Sequence, residues 1–308
     1  MDIAIKVLNQ VIVVFLLIGV GFICTKAKMF TKDGIKQMTS LLLNVVTPCV
    51  LINSYQEKDF SAELAQGLLW GALFTAITIG VMTVLSAVLF KKDASGKYKI
   101  NRFASTYSNC GFMAIPLLGA ALGADGVFYG SSYLAVFTLC YWTIGIFVFT
   151  EDFKDLSFLN IIKNPGVIGT IISIALFLLK IKLPNVILQP ISFLAGLNTP
   201  VAMIILGSYM VDVKLSQLIK EKGMYAVCLL RLIVFPLVSL GIAMLLKMDT
   251  TVAQAVMISS ACPTATVTTL FAARFNNNAE YSAQVVSVTT LLSILTIPLI
   301  MALMGLVY

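Results

Sequence analysis

Ten stretches of roughly 20 predominantly apolar residues follow one another along this chain, and the segments between them hold nearly all of its charge. They fall at residues 7–24, 38–54, 64–90, 103–122, 127–150, 166–179, 187–210, 224–246, 252–271 and 282–307. A run of that length crosses the hydrocarbon layer as a helix, because a helix satisfies every backbone N–H and C=O within one segment. With 59% hydrophobic and only 11% charged residues, a water-soluble domain of 308 residues would lack polar surface, so the bilayer is the solvent. The expected fold class is an all-α polytopic membrane protein. The sixth run is short and follows Asn164-Pro165-Gly166, and the seventh is interrupted by Pro190, Asn198 and Pro200, so nine spans stay open beside ten. Residues 1–6 lead straight into the first run without a charged leader or a cleavage site, so that run is expected to stay as a span.

The formal net charge of +7 is carried by lysines dispersed among short loops rather than gathered on an aromatic surface, which argues for topology and against nucleic acid. With ten spans and an outside N-terminus, fifteen of the twenty-one Lys and Arg residues face the cytoplasm and five face outward, leaving Arg231 within a span. That bias predicts a multi-pass cell-membrane protein with both termini outside. The six cysteines all lie in apolar runs without metal-site spacing and are read as packing residues.

Two proline positions recur. Thr47-Pro48 in the second run matches Thr199-Pro200 in the seventh, and Pro116 in the fourth matches Pro263 in the ninth, at offsets of 152 and 147 residues. Five spans is an odd number, so a duplicated second half enters the membrane from the opposite side. The expected organisation is a first five-helix repeat at 1–155 and an inverted second repeat at 156–308.

A proline within a span breaks or bends the helix, and backbone freed in this way must face protein or a water-filled cavity. The fourth run reads Ser108-Asn109-Cys110-Gly111 through Pro116, and the ninth reads Ser259-Ser260-Ala261-Cys262-Pro263-Thr264. Both look like discontinuous helices. Two such helices from opposed repeats meet near the midplane, where half-helix N-termini suit a carboxylate. The alternative is that the prolines only kink the spans while Ser and Thr satisfy the backbone locally. Candidate substrate-binding residues are Ser108, Asn109, Gly111, Pro116, Ser260, Pro263 and Thr264, with Asn44 and Pro48 from the second run. Asn44 has a helix-packing alternative. Arg231 can snorkel, pair structurally or draw an anion into the inner vestibule.

The stretch Asn109-Cys110-Gly111-Phe112-Met113-Ala114-Ile115-Pro116-Leu117-Leu118 resembles the fourth-helix motif of the auxin efflux carrier family, whose bacterial members are often described as malate or malonate permeases. The similarity runs nearly end to end and takes in Thr47-Pro48, Leu206-Gly207-Ser208 and the Pro263 helix. It implies ten helices in two inverted repeats, a scaffold half and a transport half, helices four and nine crossing at their prolines, and contact between Asn109 and a substrate carboxylate. Ala114 stands where plant exporters usually carry glycine, and their long cytoplasmic loop is absent, so auxin itself is a poor expectation.

No histidine occurs, and every acidic residue falls in a loop or at a span end, so no buried titrating carrier of protons or sodium is evident. Asp125 and Glu280 follow the broken helices and read as wet loop charges. An intramembrane enzyme would lack its base, its metal ligands or its aspartate pair, and no nucleotide-binding loop occurs. The chain is therefore expected not to be an enzyme and to need no cofactor. The leading expectation is a secondary transporter of a small organic anion, most simply by potential-driven efflux. An ion-coupled carboxylate carrier and a channel or transporter-like sensor remain as alternatives. Dimerisation is common among related folds, and the oligomeric state stays open.

Overall fold

The computed structural model describes residues 2–152, 165–211 and 221–308. Lys154, Lys163, Lys214 and Lys220 of the charge count, and the junction of the two expected halves at 155 and 156, lie outside them. The described residues are helical throughout, with no strand: α1 (Asp2–Lys26), α2 (Lys32–Gln56), α3 (Ala62–Leu89), α4 (Lys97–Thr106), α5 (Cys110–Thr150), α6 (Pro165–Leu178), α7 (Asn185–Gly196), α8 (Asn198–Met210), α9 (Lys222–Leu245), α10 (Thr250–Ala261), α11 (Val267–Arg274) and α12 (Ala279–Met304). Among the described residues, seven segments are long and apolar enough to cross a membrane: α1, α2, α3, α5, α7 with α8, α9 and α12. α6 is a shorter apolar helix. Large apolar side chains point outward all round, Leu69, Phe193 and Leu295 each being at least 70% exposed, which water would penalise and lipid does not.

Short-range chemistry sets the helix starts. Thr31 accepts from the Gly34 N–H at 3.1 Å and Ser61 from the Leu64 N–H at 3.1 Å, while Asp249 accepts from both Thr251 and Val252. Each relieves N–H groups that a helix end leaves unpaired. Proline chemistry is handled by π turns. Those at Leu42–Val46, Cys110–Ala114 and Leu230–Val234 each end two residues before a proline, namely Pro48, Pro116 and Pro236. The wider turn makes room for the ring, which crowds the carbonyl one turn back, and the Thr47 hydroxyl takes up the Leu42 carbonyl at 2.9 Å.

α5 is 41 residues long, twice what the hydrocarbon layer needs, and it doubles back at Gly123, whose φ of 64° and ψ of −148° are open to glycine alone. In a straight helix Leu118 and Gly130 would stand roughly 18 Å apart. Here the Leu118 side chain lies directly against Gly130, and its carbonyl would sit 2.7 Å from a Cβ on Gly126. The limbs 110–122 and 124–150 are therefore packed as a hairpin.

α1 and α8 cross with their backbones in contact: a Cβ on Gly207 would sit 2.8 Å from the Phe22 nitrogen, and one on Gly21 would sit 2.7 Å from the Ile204 Cα. Small residues permit such approaches between membrane helices. The last part of α2 packs on α6, α4 packs on α9, and α10 packs on α3. Loops and helix ends carry the ion pairs. Lys58 pairs with Asp125, Lys182 with Asp59 at 3.0 Å, and Lys97 with Glu221 at 2.7 Å. Glu151 is bonded to Lys92 at 2.9 Å, which holds its carboxyl below the usual carboxylate range. Glu280 is exposed, and Arg231 is the one buried charge among the described side chains.

Candidate functional site

α4 stops at Thr106 and resumes as α5 at Cys110, while α10 stops at Ala261 and resumes as α11 at Val267. The two interruptions lie against each other as a short antiparallel pair. The Asn109 N–H donates to the Pro263 carbonyl at 2.7 Å, the Ala265 N–H donates to the Tyr107 carbonyl at 2.9 Å, and Ser108 and Thr264 face each other across the bridge. Backbone freed by each break is thus satisfied by the other. Pro263 explains one break, since Cys262 before it is extended at φ −60° and ψ 150°.

Nothing comparable breaks the other helix. Pro116 was expected at the crossing, but it lies seven residues beyond Asn109, roughly 10 Å along the helix, where the Cys110–Ala114 π turn absorbs it. The break at Tyr107–Asn109 exists because the Pro263 segment offers it hydrogen-bond partners.

Arg231 reaches the crossing from α9. One guanidinium nitrogen donates to the Thr106 carbonyl at 3.1 Å and the other to the Ser260 carbonyl, while the group lies 4.0 Å from the Phe235 ring centroid. Thr106 closes α4 and Ser260 lies in the last turn of α10. A fixed positive charge therefore sits at the negative ends of both half-helices, where the last carbonyls have no intrahelical donor. The side chain is wholly buried. It does not snorkel; its two terminal nitrogens clamp two helix ends, and its Nε–H has no partner.

The hydroxyls are engaged as well. Ser108 Oγ donates to the Tyr133 hydroxyl at 3.4 Å, Ser260 Oγ to the Met257 carbonyl at 3.0 Å, and Thr264 Oγ1 to the Ala104 carbonyl at 2.9 Å. These three residues build the crossing. Two expected members lie elsewhere. Asn44 is on an exposed face of α2 and bonds to Ser40 at 2.9 Å, and Pro48 packs against Gly169 of α6. The second run departs from the expectation because its π turn keeps it continuous through Pro48, so no backbone opens there.

Three polar groups at the crossing stay without a partner, the Arg231 Nε–H and two amides. Asn109 is 4% exposed and its Nδ2 has no partner. Asn198, which opens α8, is 1% exposed; it directs Nδ2 at the Gly111 carbonyl at 3.5 Å and leaves Oδ1 unpaired. Sequence reasoning saw Asn198 only as an interruption of the seventh run, although its place before Thr199-Pro200 was the available signal. Gly111 serves through its carbonyl. The starts of α5 and α11 carry the positive ends of their half-helices beside Asn109, so the crossing offers an anion N–H donors and places its one fixed charge at the opposite helix ends.

No curated protein matches the sequence. The family model described as membrane transport protein matches residues 6–301. That match spans nearly the whole chain, and the chain belongs to this membrane transport family, the auxin efflux carrier family.

Proposed function

We propose that this chain is a secondary transporter that moves a small organic anion across the cell membrane by alternating access, with the carboxylate held at the crossing of α4–α5 and α10–α11. The unpaired Asn109 amide nitrogen carries this reading. A buried donor without a partner is costly unless a ligand completes it, and this one stands at a half-helix N-terminus inside a membrane transport protein.

In the same reading the chain crosses ten times as two inverted five-helix repeats. α4 with the limb 110–122 counts as one crossing and the limb 124–150 as the next, while α6, the α7–α8 pair and the α10–α11 pair count as one each. Reciprocal packing supports this. The first crossing meets the seventh and the second meets the sixth, while the first half of the fourth meets the eighth and the first half of the ninth meets the third. An even count returns both termini to one side, and the lysine bias puts that side outside.

Asn109→Ala is expected to weaken binding of carboxylate substrates 10- to 150-fold, since a hydrogen bond to a charged group is worth about 1.5–3 kcal/mol. Folding should be nearly intact, because the lost nitrogen has no protein partner. Ligand-induced thermal shifts across a mono- and dicarboxylate series measure this, and an unchanged affinity in the folded variant would remove Asn109 from the site.

A further inference from the structure

We infer that Asn198 is a specificity-determining residue that reads a hydrogen-bond donor beside the substrate's carboxylate, so that the site selects acids with a hydroxyl on the neighbouring carbon. This rests on the carboxylate reading of the crossing and adds to it a second contact from a helix outside the broken pair.

The orientation of the Asn198 amide follows from its neighbour. A backbone carbonyl only accepts, so the contact with the Gly111 oxygen at 3.5 Å requires the Asn198 nitrogen on that side and leaves Oδ1 facing away. That oxygen is buried and has no donor. Nearby hydroxyls do not serve it, since Ser108 donates to Tyr133 and Thr264 donates to Ala104. Two residues from Gly111, Asn109 holds the opposite vacancy, a donor without an acceptor. The bond between Asn198 and Gly111 fixes the start of α8 to the first turn of α5, so the two vacancies belong to one joint.

A plain carboxylate fills only one of them. It brings acceptors alone, satisfies Asn109 and sets lone pairs toward Asn198 Oδ1. A 2-hydroxy acid brings both groups with their oxygens three bonds apart, an oxyanion for Asn109 and an O–H for Asn198. Sites with a buried polar atom discriminate strongly against analogues that leave it unpaired, more than apolar pockets discriminate by size.

The test uses the full-length protein in proteoliposomes and two matched pairs of probes, lactate with propionate and malate with succinate. Binding is read by competition against a labelled acid. The hydroxy member of each pair is expected to compete about tenfold or more better than its partner. Asn198→Leu, which keeps the volume and removes the acceptor, should bring the two members together, whereas Asn109→Ala should weaken both alike. Equal competition within both pairs in the unmodified protein overturns the inference while leaving a carboxylate site standing, and this comparison needs no variant to fold. A hydroxy preference that survives Asn198→Leu overturns the role of Asn198. Failure of all four acids to compete would instead overturn the underlying carboxylate reading.

Discussion

Replacing Arg231 with alanine is expected to destabilise the protein by about 2–6 kcal/mol, because two buried helix-end carbonyls lose their donor at once. The change strips donors from the Thr106 and Ser260 carbonyls together. Each is a buried acceptor at a helix end, and leaving one unsatisfied costs about 1–3 kcal/mol. Lysine keeps the charge but not the planar fork that spans two carbonyls, so Arg231→Lys should fall between. Methionine fills the stem without donors and should resemble alanine. Chemical unfolding in detergent micelles, with far-ultraviolet circular dichroism, ranks the variants. Equal midpoints for the arginine and alanine forms would show that the guanidinium is not what closes these helix ends.

Gly207→Ala is expected to cost about 2–3 kcal/mol, toward the upper part of the overpacking range, because the obstructing atoms are backbone. The added methyl would meet the Ile18 carbonyl and the Phe22 nitrogen, neither of which can rotate aside. α1 and α8 must then part, and the van der Waals packing that associates membrane helices is lost along their length. The same separation shifts Asn198 at the head of α8, so a loss of substrate affinity should accompany the loss of stability. Gly19 supplies the control. A Cβ there meets nothing within 4 Å, so Gly19→Ala should be neutral or gain up to about 1 kcal/mol from helix propensity. Thermal denaturation of both variants in one detergent checks the pair, and equal shifts would contradict the close crossing.

Apolar runs made the helices legible, because the bilayer sets their length and excludes charge from their interior. The run at 64–90 emerged as Ala62–Leu89 and that at 187–210 as α7 and α8 joined at Leu197. The break at Pro263 was legible for a local reason, since proline acts on the residue before it. The partner break was not. Tyr107–Asn109 carries no breaker and opens because another chain segment pairs with it, and no local pattern encodes that. Pro116 and Pro48 drew attention as breakers, yet π turns two residues upstream let the helices pass through both. Asn44, three residues before Thr47-Pro48, and Asn198, directly before Thr199-Pro200, look alike in sequence, but one faces outward and the other is buried against Gly111. Arg231 was visible as the one charge inside a span, and its role follows only from which carbonyls converge on it.

The most direct test of the central claim is substrate efflux from proteoliposomes under a potential clamped with potassium and valinomycin, with pH and sodium varied independently. The crossing is lined by amides and helix ends, and its one buried charge is held by two helix carbonyls; under the proposed function the substrate's own charge is what moves through the field. An inside-negative potential favours anion exit by about 2.3 kcal/mol per charge per 100 mV. For a dicarboxylate that is roughly 4.6 kcal/mol, a gradient above a thousandfold. The predicted result is saturable efflux that rises with inside-negative voltage and persists without proton or sodium gradients. Flux that ignores the voltage and requires a proton or sodium gradient would contradict it.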